Sequence, residues 1–207
     1  MTMLECTSMN DFAQCTEQLI IAGQELYRQG MVPATSGNFS MRLAGGNVAI
    51  TVSGAHKGKL TEQDIMQINL EGESLDGKKP SAETLLHVQI YKNVPDAKAV
   101  LHPHMMNAIL LARINHDIVK LENYELLKAL DGIQTHTVRV MIPIFANDQN
   151  ISRLANKVQT VFDEPEKVYA YIIQGHGVYT WGKSMADAMR HIEALDYLFA
   201  CELHSGG

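Results

Sequence analysis

The chain has 207 residues, 46% hydrophobic and 19% charged, a balance that suits one globular domain with a sizeable core over residues 1–207. Seventeen Lys and Arg against 23 Asp and Glu give a formal net charge of −6, which excludes a global basic field for nucleic acid and leaves an anionic ligand to local donors. Cys6, Cys15 and Cys201 form neither a CxxC pair nor a disulfide framework. No apolar run is long enough to span a bilayer, and the first ten residues lack a signal-peptide pattern, so a cytoplasmic protein with no membrane partner is expected.

In chain order, residues 10–29 read as a helix capped by Asn10 or Asp11, with Phe12, Cys15, Leu19, Ala22 and Leu26 as its apolar stripe and Gly30 as its C-cap. A hairpin follows. Phe39, Met41 and Leu43 alternate with polar residues, Gly45-Gly46-Asn47 is a turn signal, and 48–53 is the return strand. Two small-residue clusters flank it, Ser36-Gly37-Asn38 and Ser53-Gly54. Each reads either as an ordinary turn or as an anion nest, because glycine admits close backbone approach and successive N–H groups gather on one side. Lys57 and Lys59 lie in the next loop, equally suited to attracting a phosphate or to plain solvation. Thr61 and Asp64 have capping-box spacing, and 65–70 is a short strand.

Pro80-Ser81-Ala82-Glu83 opens a second helix, residues 81–93, with Ser81 as the natural N-cap and an anion-attracting N-terminus. Glu83 there either complements the helix dipole or takes part in chemistry. The run Ala99–Leu101 ends in His102-Pro103-His104. Residues two apart on an extended chain share a side, and proline stiffens the segment, so the two imidazoles leave the strand end together. That pair is either exposed or ligates a metal. A helix over 105–113, a short strand over 118–121, a helix over 122–130, a strand over 138–144 and a helix over 147–162 follow, the last starting at Asn147, Asp148 or Ser152. The strand 168–173 then runs into Gly175-His176-Gly177, where flanking glycines let a sharp turn present the ring. Three histidines leave a zinc ion a position open for substrate or water. The other histidines, His87 among them, read as surface or core residues. A helix from Ser184 carries an apolar stripe of core type.

These motifs, in this order, resemble the class II aldolase family of zinc-dependent sugar-phosphate enzymes. The resemblance implies an α/β fold, layered α/β/α with a mixed, mainly antiparallel sheet. It also implies one zinc per subunit on His102, His104 and His176, a phosphate site of Gly37, Asn38, Ser53, Gly54 and Ser81, and a catalytic role for Glu83. A homotetramer with sites between subunits is a further implication. Ala82 stands where the family often has a second serine. Tyr124-Glu125-Leu-Leu-Lys-Ala-Leu130 resembles a dehydratase branch, whose catalytic glutamate matches Glu125. That branch implies loss of water from a methylthio-bearing ketose 1-phosphate, a step of methionine salvage. Tyr124 and Leu126 are expected to desolvate Glu125 and favour its protonated form. Aldolase or epimerase chemistry through the same enediolate is the alternative, and a binding module like the adducin head the third.

Overall fold

The apolar stripe from Phe12 to Leu26 winds into α1 (Met3–Arg28) in the computed structural model, which describes residues 3–205. The helix continues N-terminal of its expected start. Asp11 therefore lies within it and caps nothing; its carboxylate accepts the Ala44 N–H at 2.6 Å and fastens the helix to the hairpin. The side chains of Cys6 and Asn10 fall outside the described part. At the other end Gly30 has φ +75°, and the Gly30 and Met31 N–H groups return to Tyr27 and Leu26, a left-handed C-cap of the kind glycine favours.

Eight strands make one mixed sheet: β1 (Asn38–Arg42), β2 (Val48–Thr51), β3 (Ile65–Ile68), β4 (Ala99–His102), β5 (Ile118–Glu122), β6 (Arg139–Phe145), β7 (Ala170–Ile173) and β8 (Gly177–Gly182). Their order is β3-β2-β1-β4-β8-β7-β6-β5. β6 and β7 pair in parallel, and the other six pairings are antiparallel. The period-two alternation of each strand sorts its side chains between two cores. Phe39, Met41, Ala99, Leu101 and Val178 pack with α1, α3 (Met106–Ile114) and α5 (Met185–Ser205). Ile50, Val100, Tyr179 and Trp181 pack on the opposite face with α2 (Thr84–Asn93) and α4 (Ile151–Asp163). The layers are therefore α/β/α, as expected.

Three further boundaries differ from the sequence reading, each for a local reason. α2 begins at Thr84, because Ser81 closes a turn in which its carbonyl accepts the Thr84 N–H at 3.1 Å. Glu83, not Ser81, then occupies the helix boundary. α4 is capped by Asn150, whose side chain accepts the Arg153 N–H at 3.0 Å; Asp148 instead receives the Arg153 guanidinium. Residues 122–130 do not form an α-helix. β5 runs through Glu122, Asn123 turns out of it with φ +65°, and Glu125–Ala129 is a 3-10 segment. Leu127 and Leu130 are buried there at the three-residue repeat of such a helix. No helix among the described residues is long and apolar enough to cross a membrane.

Candidate functional site

β4 ends on His102, with Asn38 of β1 opposite it in register. Alternation puts Asn38, Ser40, Val100 and His102 on the α2 side of the sheet, so the first residues of α2 stand over the end of β4. Pro103 carries the chain to His104, whose N–H donates to Met31 O at 2.8 Å. The β7–β8 turn closes from the other side. Gly175 takes φ +67°, the His176 N–H bonds Ile173 O, and the Val178 N–H bonds Pro103 O. A Cβ at Gly177 would lie 2.4 Å from Pro103 O. The first glycine thus makes the turn and the second allows the two backbones to touch.

The result is the three-histidine cluster read from the sequence. One ring nitrogen of each of His102, His104 and His176 lies within 4.8 Å of the others. His102 is fully buried and stacks on Tyr179 at 4.0 Å between centroids. Its Nδ1 donates to Val178 O at 2.9 Å, which turns the Nε2 lone pair toward the cluster, as outer partners of metal-binding imidazoles commonly do. Burial lowers the His102 pKa well below the ordinary range and pushes His104 down to about 4. Both rings are therefore neutral near pH 7, the form that ligates. Three imidazoles with their nitrogens converging fit a divalent metal of the zinc type and leave further coordination positions open.

Glu83 completes the cluster. Its Oε1 is 2.9 Å from His176 Nε2 and its Oε2 is 3.5 Å from His102 Nε2. Asn38 Nδ2 donates to Oε2 at 2.5 Å. Burial works to raise the carboxyl, but the hydrogen bonds from His176 and the Asn38 amide, with the electrostatic pull of the adjoining imidazoles, outweigh it and hold Glu83 well below the usual carboxylate range. A carboxylate beside a metal set is more than a helix-dipole partner.

The expected phosphate residues gather beside this cluster. Gly37 has φ +76°, and a Cβ there would meet His102 O at 2.6 Å, so the 36–38 turn lies directly on the ligand strand. The Ser53 N–H reaches Lys79 O, which ties the Ser53-Gly54 turn to the segment before Ser81. Ser81 Oγ accepts the Glu83 N–H at 3.3 Å. The Asn38 side chain turns inward to Glu83 and His87. Three residues gain importance over their sequence reading. Lys57 is buried, not solvated, and its ammonium donates to Thr35 O at 3.0 Å and Ala55 O at 2.6 Å, locking the 35–37 and 53–55 turns together. Burial pushes its pKa down to about 8. Ser36 Oγ is buried in the same place without a partner, a donor available to an anion. His87 is fully buried behind Asn38. The lysine's burial and the histidine's partner have no local sequence signal, since both follow from strand register.

Glu125 does not join this cluster within one chain. It is 71% exposed, paired with Lys128 and with His136 at 3.6 Å. A hydrogen bond from Lys128 holds its carboxyl below the ordinary value, so Tyr124 and Leu126 do not supply the expected desolvation. Glu125 borders a surface hollow with Leu126, Ala129, Arg190 and Tyr197.

The sequence pattern of the Class II Aldolase and Adducin N-terminal domain family matches residues 17–203. A methylthioribulose-1-phosphate dehydratase of Methylococcus capsulatus is 56% identical over 197 residues, covering 95% of this chain and 97% of the relative. One from Pseudomonas fluorescens is 50% identical and covers 92% of each. Among solved structures, the L-fuculose-1-phosphate aldolase of Thermus thermophilus superposes with a TM-score of 0.74 at 26% identity, covering 93% of this chain and 94% of that one.

Proposed function

The chain belongs to the Class II Aldolase and Adducin N-terminal domain family, and from that premise we propose its reaction: dehydration of methylthioribulose 1-phosphate to the corresponding 2,3-diketo phosphate, a step of methionine salvage. The observation that carries this reading is the near full-length identity to relatives of that name. The site has the matching chemistry, with a metal-type histidine set, an ionised carboxylate and anion-type turns side by side.

His102, His104 and His176 would hold one zinc ion. When bound, zinc would supply Lewis acidity at the substrate's ketone and adjacent hydroxyl oxygens. The turns at Gly37, Ser53-Gly54 and Ser81, with Ser36 Oγ and the N-terminus of α2, grip the phosphate and orient the carbon chain. Lys57 keeps those turns in register and adds positive charge without a basic surface. Asn38 contributes its backbone N–H to this grip and its side chain to Glu83. Glu83 takes the C3 proton. A carboxylic acid at C4 gives its proton to the departing hydroxyl, water leaves, and the enol relaxes to the diketone.

The acid at C4 is Glu125 of a neighbouring subunit in a homotetramer. Two observations support this. Glu125 is exposed away from its own histidines, and an apolar stripe of Met106 (72% exposed), Leu110 and Ile114 (64%) begins two residues after His104, next to the metal set. Exposed apolar surface of that extent suits a subunit contact.

Product analysis tests the reaction. Wild-type protein loaded with zinc and given methylthioribulose 1-phosphate should form the diketo phosphate. Dihydroxyacetone phosphate as the main product would establish the aldol reading that the Thermus neighbour favours, and a protein that takes up no zinc when it is offered and turns nothing over would favour a binding module. For the phosphate grip, Ser53→Ala should raise KM roughly 10–100-fold, the worth of one hydrogen bond to a charged group, with zinc content unchanged. An unaltered KM would remove Ser53 from the site.

A further inference from the structure

We infer that His87 is a positioning residue for Glu83: a directed chain of hydrogen bonds, Tyr91 to Ser40 to His87 to Asn38 to Glu83, fixes the carboxylate from the layer between β1 and α2. The chain is built by strand and helix periodicity. Asn38 and Ser40 are two apart on β1 and face α2, while His87 and Tyr91 are four apart on α2 and face β1. Ser40 Oγ lies 2.7 Å from His87 Nδ1 and 2.9 Å from the Tyr91 hydroxyl. His87 Nε2 meets Asn38 Oδ1, and Asn38 Nδ2 meets Glu83 Oε2 at 2.5 Å. Ser40 and His87 are fully buried, and Tyr91 is 1% exposed.

The direction of every bond follows from its end. The Asn38 amide sets it: Nδ2 faces Glu83 Oε2 and Oδ1 faces His87 Nε2, so Asn38 donates to the carboxyl and accepts from the ring. That oxygen needs a donor, so His87 carries its proton on Nε2. Nδ1 is then an acceptor and takes the Ser40 hydroxyl proton, and Ser40 Oγ takes the proton of Tyr91. Reversing any one member would leave a buried carboxylate facing a carbonyl or a hydroxyl facing nothing, which is costly away from water. The ring is also held sideways, edge-on to Tyr179 at 5.6 Å, and Tyr179 stacks on His102. One histidine thereby aligns the carboxylate and backs the most buried of the three cluster histidines.

The role rests on Glu83 acting in the proposed reaction, and its test separates the two. Ring-nitrogen NMR of the wild-type protein should find His87 protonated on Nε2 and bare on Nδ1; the opposite tautomer would overturn the chain whatever the substrate. His87→Gln keeps an amide donor near the Nε2 position, whereas His87→Asn places one near Nδ1. His87→Leu and His87→Asn should lower kcat roughly 10–100-fold, the cost of a misplaced catalytic group, with KM within a few-fold and zinc content unchanged. His87→Gln should recover most of that loss. Equal loss in Gln and Asn variants, or loss of zinc in step with kcat, would reduce His87 to a packing residue. If the Leu variant does not fold, Ser40→Ala serves instead. It should lower kcat by a smaller factor at constant zinc, and an unchanged kcat would overturn the relay. A wrong substrate would show earlier, as absence of diketone from the wild type.

Discussion

His102→Ala is expected to lose its zinc and, with it, turnover by at least about three orders of magnitude. Three facts make this the most damaging of the ligand changes. The ring is fully buried, its Nδ1 is pinned to Val178 O, and its Nε2 stands 3.4 Å from His176 Nε2, in the middle of the set. Removing it leaves His104 and His176, and two imidazoles hold zinc far less well than three. Lewis acidity is worth several kcal/mol in such a site, and about 4 kcal/mol corresponds to a thousandfold at 1.36 kcal/mol per decade. Zinc per subunit by elemental analysis and the diketone rate are the two readouts. The substitution also removes the stack on Tyr179, so His176→Ala, in the more exposed turn, is the companion variant, and it should show the same joint loss. Stoichiometric zinc with full activity in either would refute the assignment.

The three-histidine cluster was legible because its signals are local. His102-Pro103-His104 at a strand end and a histidine between two glycines each fix a side chain's direction within a few residues, and the fold had only to bring β4 and the β7–β8 turn together. The layered α/β/α sheet was legible for a related reason, since alternation and helical stripes mark the faces of single elements. What lay hidden depends on register between elements. Asn38 reads as a phosphate contact in the 36–38 turn, and only its place opposite His102 and beneath α2 shows that its amide serves Glu83. His87 reads as an ordinary core histidine on a helix, because nothing within its own helix tells of Ser40 and Asn38. Lys57 reads as a loop lysine, because its two carbonyl partners are separated from each other by some twenty residues. Ser81 has the look of an N-cap, yet the turn it closes shifts the helix start to Thr84 and leaves Glu83 at the boundary, its carboxylate beside the histidines.

Glu125 is the residue whose reading depends on something beyond one chain. Glu125→Gln is expected to lower turnover by about 10²–10⁴-fold, the usual cost of removing an acid/base group, while zinc content and substrate affinity stay near wild type. In a single subunit the carboxyl is exposed and held ionised by Lys128, which suits no proton donor. Contact with a neighbour's apolar stripe would strip water from it and raise its pKa toward the protonated form that the C4 hydroxyl requires. This predicts a result that no intrachain role gives. His102→Ala and Glu125→Gln proteins should each be nearly inactive alone. Dissociated together and reassembled in equal amounts, they should recover about a quarter of wild-type activity, because in a cyclic assembly one junction in four joins an intact histidine set to an intact Glu125. Were Glu125 to act on its own subunit's histidines, every site in the mixture would still lack one of the two and no activity would return. Near-normal diketone formation by Glu125→Gln alone would instead pass the acid's work to Glu83, the only other carboxylate that the described residues place against the histidines.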